Sequence, residues 1–469
     1  MSLSTPAERL EPLLTWIDTH RDAAVATLQR FCRQPSIAAQ NRGMQQMAEL
    51  VADSLRESGA ETSLVLTQGF PVIVGRLTGE RAHRLAIYDH YDVQPPEPLE
   101  AWSVPPFDAA IRDGRLYARG VADNKGNLVA RLWAVRAWRE VHGRLPCGVT
   151  FLIEGEEEIG SPSLGEFARA HQDLLQADAC LWEAGARNEQ GAITITAGLK
   201  GLVSVELRVQ SVAYDLHSSN APLAPNAAWR LVEALGSLHE PSGRVRIPGF
   251  YDAVRPPTEP ERRLMARFPV DTLFLRQSWK IAHLLGPSED PAVLTEHLLY
   301  SPTCNICGMW SGYQGPGGKT VLPATAGAKL DFRLVPDQEP ETILALLQRH
   351  LAEQGFADVE VRNLEASSRP AQSSLESPLV DALVRSARYV YGIEPNILPR
   401  RPGSGPMEEL CQRYGLPVVN GAGVGYDGSR VHGPDEHIRL EDFLLNVKLI
   451  VVLLAEFAAE GSGGTRLSS

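Results

Sequence analysis

Leu85-Ala-Ile-Tyr-Asp-His-Tyr-Asp-Val93 and Ala118-Arg-Gly-Val-Ala-Asp-Asn-Lys-Gly126 decide how this chain is read. The first stretch is an apolar run that closes on His90 and Asp92, the pattern of a buried strand presenting polar groups at its C-terminal edge. Open α/β sheets bind their ligands at that edge. Side chains two apart on a strand share a face, so His90 and Asp92 project together, and one can hold a metal ion while the other orients it. A His-x-Asp pair also occurs in ordinary surface loops, so it needs support from elsewhere.

Support comes from further along the chain. Asp123 sits in a Gly-rich turn that opens a helix near Asn124, with Ala130, Trp133, Ala134 and Trp138 on one apolar face. A plain helix N-cap is the competing role for Asp123. The apolar run Gly148-Val-Thr-Phe-Leu-Ile stops at Glu154, Glu156, Glu157 and Glu158. Carboxylates crowded at the end of a buried strand repel one another unless a cation or a shared proton relieves them; a solvated acidic loop is the alternative. Ala179-Cys-Leu-Trp then delivers Glu183, and Val431-His-Gly-Pro-Asp-Glu-His437 supplies His432 after the Gly-rich Asn420-Gly-Ala-Gly-Val-Gly425.

Taken together, Tyr88-Asp-His-Tyr-Asp-Val-Gln-Pro95, Arg119-Gly-Val-Ala-Asp-Asn-Lys-Gly126, Glu154-Gly-Glu-Glu-Glu-Ile-Gly-Ser161 and His432-Gly-Pro-Asp-Glu436 resemble the motifs of one family. It is the dinuclear zinc exopeptidases and deacylases, which include carnosinase-type dipeptidases, carboxypeptidase G and acetylornithine deacetylase. The likeness spans nearly the whole chain in the family's order, and four motifs in register are more specific than any one.

That resemblance implies a metal centre. Asp123 would bridge two divalent ions, zinc with manganese or cobalt as alternatives; His90 and Glu183 would complete one site, Glu158 and His432 the other. Each ion would keep an open position for a bridging water. Glu157 would be the general base, with its neighbour Glu156 the competing candidate, and Asp92 would stand behind His90. His217, in Tyr214-Asp-Leu-His-Ser-Ser219, matches a lid histidine that reaches the scissile carbonyl, in cis or from the other subunit; an ordinary surface histidine is the alternative. Arg333 and the loop carrying Gly403 and Ser404 match positions that hold the substrate's carboxylate, a role suited to guanidinium forks and helix-start amides, and Asn305 would help place the substrate. An edge ion pair for Arg333 and a simple helix entry at Gly403 are the structural alternatives. The peptide from Asp123 to Asn124 is expected to be cis.

One departure bears on the substrate. Carnosinase-type dipeptidases usually carry Asp where this chain has Glu183, whereas Glu resembles the carboxypeptidase G and deacylase branches. The Tyr88–Pro95 and Arg333 stretches pull back toward dipeptidases. The expected reaction is hydrolysis of dipeptides or short peptides with a free C-terminal carboxylate. N-acyl amino acid deacylation is the runner-up, and a non-catalytic binding protein stands third.

Composition sets outer bounds. The 469 residues carry 57 acidic against 45 basic side chains, a formal net charge of -12, which argues against nucleic acid or an anionic membrane as partner. No window approaches twenty apolar residues, and Met1-Ser-Leu-Ser-Thr-Pro6 lacks the basic start and apolar core of a signal peptide, so a cytoplasmic location is expected. Six cysteines are too sparse for a disulfide framework; Cys304-Asn-Ile-Cys307 lies in an alternating context and reads as a pair of strand thiols.

The expected class is α/β: a zinc-exopeptidase-like catalytic domain built on a mixed sheet covered on both faces, interrupted by a smaller α+β lid and dimerisation domain. Residues 1–198 and 371–460 would form the first, 199–370 the second, and 461–469 a flexible tail. Helices are expected over about 8–32 and 43–58, a strand at Val359–Asn363, and a Ser/Pro-rich linker from Ser367 to Ser377. A homodimer through the inserted domain is what the resemblance implies.

Overall fold

The computed structural model describes residues 6–460 and falls into two compact units. The first unit contains residues 6–198, Gln372–Pro399 and 406–460; the second contains Leu199–Ala371 and Arg400–Gly405. The expected tail, 461–469, lies outside the described residues.

A six-stranded sheet organises the first unit. Its strands are β1 (Glu61–Val65), β2 (Val72–Leu77), β3 (Gly79–His90), β4 (Leu145–Glu154), β5 (Ala179–Leu181) and β6 (Val418–Val419), in the order β1-β2-β4-β3-β5-β6. β3 runs parallel to β4 and β5, and β5 to β6, while β2 is antiparallel to β1 and β4. The sheet is therefore mixed. Every residue of β4 is buried, which is why it reads as a continuous apolar run and not as an alternation. In the β3–β4 ladder His90 pairs with Glu154, so both strands deliver their polar ends at the same level.

Helices pack against this sheet. Gly126–His142 and the 21-residue helix Leu440–Glu460 share a core that includes Val129, Trp133, Val447, Ile450 and Leu454, and the Trp138 indole N–H donates to Val451 O at 3.1 Å. The latter helix is apolar on nearly every side, yet its buried acids are matched: Asp442 pairs with Arg187 and Glu456 with Arg385. Among the described residues no helix is long and apolar enough to cross a membrane. The helix expected over 8–32 is two helices, Pro6–Thr19 and Arg21–Arg33. They break at His20, whose ring Nδ1 lies 2.8 Å from Trp16 O, and both halves keep one hydrophobic period across the break.

The second unit is an antiparallel sheet of four strands, in the order Thr303–Ser311, Thr325–Leu334, Gly201–Gln210, Glu360–Ser368. Helices Ala227–Leu238 and Pro340–Glu353 close a separate core around Val205, Leu231, Leu330, Phe332 and Leu347. Asn226 caps the first of these helices by accepting the Ala228 N–H at 2.8 Å. Two sequence boundaries shift. The last strand continues to Ser368, which pairs with Leu202, so the stretch read as a linker from Ser367 begins inside the sheet. The segment Arg400–Gly405 belongs to this unit and not to the first, because Arg401 bridges Leu199 and Gly403 O accepts the Lys200 N–H at 2.9 Å. Cys304 and Cys307 lie on the edge strand with free thiols.

Candidate metal centre

Five side chains from separate segments of the first unit converge at the C-terminal edge of its sheet. His90 ends β3, Glu158 lies in the turn after β4, Glu183 follows β5, Asp123 lies in the turn before helix Gly126–His142, and His432 comes from the loop before His437. They form two groups that share Asp123: His90, Asp123 and Glu183, and Asp123, Glu158 and His432, each with ligand atoms within 4.8 Å of one another. Asp123 Oδ1 lies 3.1 Å from His90 Nε2, and Asp123 Oδ2 lies 3.2 Å from His432 Nε2. Glu158 Oε2 is 3.2 Å from His432 Nε2.

The donor set fits divalent cations. His90 Nδ1 faces Asp92, 3.3 Å from its Oδ1, and Nε2 faces Asp123 and Glu183; against the penalty of burial, Glu183, Asp123 and Asp92 hold this imidazole well above its ordinary value, so an ion entering here would displace the Nε2 proton while Nδ1 keeps its own. Glu183 Oε2 is buried 2.8 Å from Nε2, out of hydrogen-bonding line and without another partner. Two carboxylate oxygens converging on one histidine nitrogen call for a positive charge between them, a proton on His90 or, once that proton is displaced, a metal ion. Electrostatics agree. The Asp123 and Glu158 carboxylates push the His432 imidazole up to about 10. Against the penalty of burial, His432 and His90 hold the Asp123 carboxyl well below the usual carboxylate range.

A buried framework holds these ligands. Asp92 accepts the N–H groups of Glu157 and Glu158 at 3.2 and 2.9 Å, so the carboxylate that orients His90 also pins the turn carrying Glu158. Gln94 donates to Glu158 Oε2 at 2.8 Å. The peptide from Asp123 to Asn124 is cis. Asn124 Nδ2 donates to Asp89 at 2.8 Å, and Arg131 bridges Asp89, Tyr88 O and Trp182 O, joining the ends of β3 and β5. Glu436 accepts the backbone N–H groups of Gly120, Ala122 and Asp123 and pairs with Arg119 at 2.7 Å. Arg119 in turn donates to His432 O at 3.1 Å, and His432 has φ +63°, a conformation that a side chain disfavours and neighbours must enforce.

The two base candidates separate. Burial, then the negative field of Glu183, pushes the Glu157 carboxyl well above its ordinary value, and His90, Asp123 and Glu158 also act on it. Glu156 is buried against the loop before β2: a Cβ on Gly69 would stand 1.7 Å from Glu156 Oε1. Glu154, fully beneath the turn, accepts from Tyr88 Oη and Ser161 Oγ and is pushed up to about 8 by burial.

The remaining sequence candidates lie in the second unit. Arg333 Nη1 donates to Ser404 Oγ at 2.8 Å, and the Ser404 hydroxyl donates to Gly201 O at 3.0 Å. Gly403 precedes Ser404 in an exposed turn. Asn305 is exposed on the strand beside Arg333, opposite Asp331. His217 is exposed on a short strand paired with Val321, its Nδ1 accepting from Ser219 N at 3.1 Å. Sequence reading passed over Glu436, Arg119, Gln94, Asp89 and Arg131 as participants. Four of them, Asp89, Gln94, Arg119 and Glu436, stood inside the quoted motifs, and the signal available was a polar or charged residue within an otherwise apolar or Gly-rich stretch.

Comparison with known proteins gives a consistent result. The sequence pattern of Peptidase family M20/M25/M40 matches residues 86–456. Beta-Ala-His dipeptidase from Homo sapiens is 29% identical, with 97% of this chain and 94% of that protein covered. Cys-Gly metallodipeptidase dug1 from Schizosaccharomyces pombe is 27% identical over 96% of this chain and 98% of that protein. Among solved structures, an M20 family metallo-carboxypeptidase, Sso-CP2 from Sulfolobus solfataricus, superimposes with a TM-score of 0.88 at 36% identity, covering 93% of this chain and 99% of that one.

Proposed function

The chain belongs to Peptidase family M20/M25/M40, and we propose that it is a dinuclear metallopeptidase that hydrolyses dipeptides or short peptides with a free C-terminal carboxylate. The observation that carries this reading is Asp123, whose two oxygens each serve a separate histidine-and-glutamate group. A bridging carboxylate between two such groups suits a pair of divalent ions, zinc by this reading, with manganese and cobalt admitted by a carboxylate-rich set. Bound there, the ions would polarise the scissile carbonyl and acidify the attacking water.

The protein's own groups supply the rest. Glu157, held beside the ligand cluster, takes the proton from the attacking water and hands it to the leaving amine. A carboxyl raised by burial is a better proton acceptor than one in water and can still release the proton afterwards. Asp92, facing His90 Nδ1, would keep the proton on that nitrogen and leave Nε2 available to hold an ion. Arg333 would take the substrate's carboxylate, with Ser404, Gly403 and Asn305 placing it, and His217 would donate toward the developing oxyanion. We further assign a homodimer through the second unit, as in the resemblance set out above, and a cytoplasmic location, consistent with six free thiols.

Glu157→Gln tests the core of this reading. Turnover should fall by about 10²–10⁴-fold, the usual contribution of a general base, while two ions per chain are retained. Loss of metal instead would make Glu157 a ligand. A second reading has its own support: 36% identity to a metallo-carboxypeptidase and the Glu183 ligand favour release of C-terminal residues from longer peptides. A panel of Beta-Ala-His, Cys-Gly, peptides of increasing length, and N-acetyl and N-succinyl amino acids separates dipeptidase, carboxypeptidase and deacylase.

A further inference from the structure

Within the second unit, three cations gather at one end of the sheet. The register sets Lys200 and Arg333 there, since Gly201 pairs with Leu334 and Thr303 with Arg333, and Arg400 is brought in by the bridge between its neighbour Arg401 and Leu199. Lys200 is 3% exposed and Arg400 is 4% exposed. Arg400 lies over the Tyr300 ring, 4.0 Å from its centroid, and has Glu261 and Asp337 in its electrostatic field. Arg333 has Asp331 at 4.0 Å. Lys200 differs from both. Its Nζ donates to Ser301 O at 2.7 Å, and the charged side chains acting on it, Arg400 and Arg333, are of like sign. Nearby His297 is held below its ordinary value, by burial first and then by Lys200, so it stays neutral at neutral pH and adds no charge of either sign.

An ammonium buried among cations is unfavourable, because its desolvation is offset by one carbonyl and aggravated by its neighbours. Burial, then Arg400 and Arg333, pushes Lys200 down to about 8, so at neutral pH it still carries its proton and its surplus charge. The same residue is tied to the proposed carboxylate holder: Lys200 N donates to Gly403 O at 2.9 Å, next to Ser404, which receives Arg333. A purely structural role is available, since Ser301 ends the helix Pro291–Tyr300 and a lysine there satisfies a terminal carbonyl. That role needs a hydrogen-bond donor. It does not need a third positive charge beside two arginines.

We infer that Lys200 is a specificity-determining residue for the peptidase reaction, its charge completing with Arg333 and Ser404 a site for the C-terminal carboxylate of the substrate. The inference rests on the proposed reading of the enzyme as one that takes peptides with a free C-terminus. Arg333 supplies the directed hydrogen bonds, and Lys200 supplies the field that makes an uncharged C-terminus a poor occupant.

Lys200→Gln is the decisive variant, because glutamine keeps a donor for Ser301 O and removes only the charge. Steady-state kinetics of the full-length, metal-loaded enzyme are measured on one dipeptide and its C-terminal amide, together with thermal unfolding. In Lys200→Gln, KM for the free acid should rise by about tenfold or more, the scale of one charge-assisted interaction, with kcat within about twofold and KM for the amide unchanged. Lys200→Arg should restore most of the loss, and the unfolding midpoint should stay put. A wild-type enzyme that prefers the acid, paired with a Lys200→Gln enzyme of unaltered KM, overturns the role of Lys200 alone. Equal use of acid and amide by the wild-type enzyme overturns the underlying reading. A fall in unfolding midpoint with equal loss on both substrates assigns Lys200 to structure and overturns the inference.

Discussion

Glu436 closes on the backbone of Asp123: its Oε1 accepts the Asp123 N–H at 3.2 Å, and its other oxygen accepts Gly120 N–H at 2.9 Å. The carboxylate that fixes the Asp123 backbone therefore comes from the loop that also carries His432, 313 residues away in sequence.

Glu436 is 1% exposed and bound by four donors, so its loss has two parts. Glu436→Gln keeps the shape but withdraws the charge that balances buried Arg119, and breaking one side of a buried pair costs about 3–5 kcal/mol. The Asp123 turn also loses acceptors. Metal affinity should weaken by about 10–100-fold, the usual effect of disturbing a residue that orients a ligand. Metal titration alongside thermal unfolding checks both; a variant with wild-type affinity would show that Asp123 holds its place without Glu436.

What could be read from the sequence, and what could not, follows from the range of each interaction. His90, Glu158 and Glu183 stand where apolar strands end, so a local contrast between buried run and polar stop marks them, and the structure brings them beside Asp123 and His432. The mixed sheet followed from the same apolar runs. Glu436 with Arg119, and Arg131 with Asp89, are contacts between distant segments, and nothing periodic near either partner announces them. The break at His20 was hidden because the hydrophobic period continues through it. Arg400–Gly405 joins the second unit through backbone bonds to Leu199 and Lys200, which leave no trace in composition. Glu156 and Glu157 are alike in sequence and differ only in what each faces.

Asp92 yields a second prediction. Its carboxylate faces His90 Nδ1 and receives the N–H groups of Glu157 and Glu158. Asn in its place can still accept one of these, but it presents an amide that can donate, and the preferred tautomer of His90 is no longer enforced. Asp92→Asn should bind metal about 10–100-fold more weakly and lose turnover even when saturated with metal. The saturated-enzyme measurement is the informative one: full activity there would confine Asp92 to metal retention.

Proton release on metal binding provides a third. His432 is pushed up to about 10 by Asp123 and Glu158, so its imidazole is protonated at neutral pH until an ion displaces the proton. The sign follows directly. Below about 10 the proton competes with the metal, so affinity rises with pH, by about tenfold per unit for each proton displaced. Calorimetry of metal binding in buffers of different ionisation enthalpy, at pH 6.5 to 8, should show at least one proton released per chain. No buffer dependence would mean that His432 binds metal without first losing a proton.

Arg131 is buried in the catalytic unit with its guanidinium spread over Asp89, Tyr88 O and Trp182 O. Burial raises the Asp89 carboxyl, and Arg131 opposes that rise, so the two are electrostatically interdependent. Arg131→Met removes the cation and leaves Asp89 to choose between an unpaired buried charge and a proton; Asp89 must also continue to receive Asn124 Nδ2. The direct loss should be about 3–5 kcal/mol of stability, seen as a lower unfolding midpoint. Because Arg131 also ties the ends of β3 and β5, which carry His90 and lead to Glu183, the variant should lose affinity at the His90–Glu183 site more than at the Glu158–His432 site. Stepwise metal titration, in which one of two ions is weakened first, reads this asymmetry. Equal weakening of both ions would show that Arg131 acts through Asn124 and the shared Asp123, and not through the strand ends.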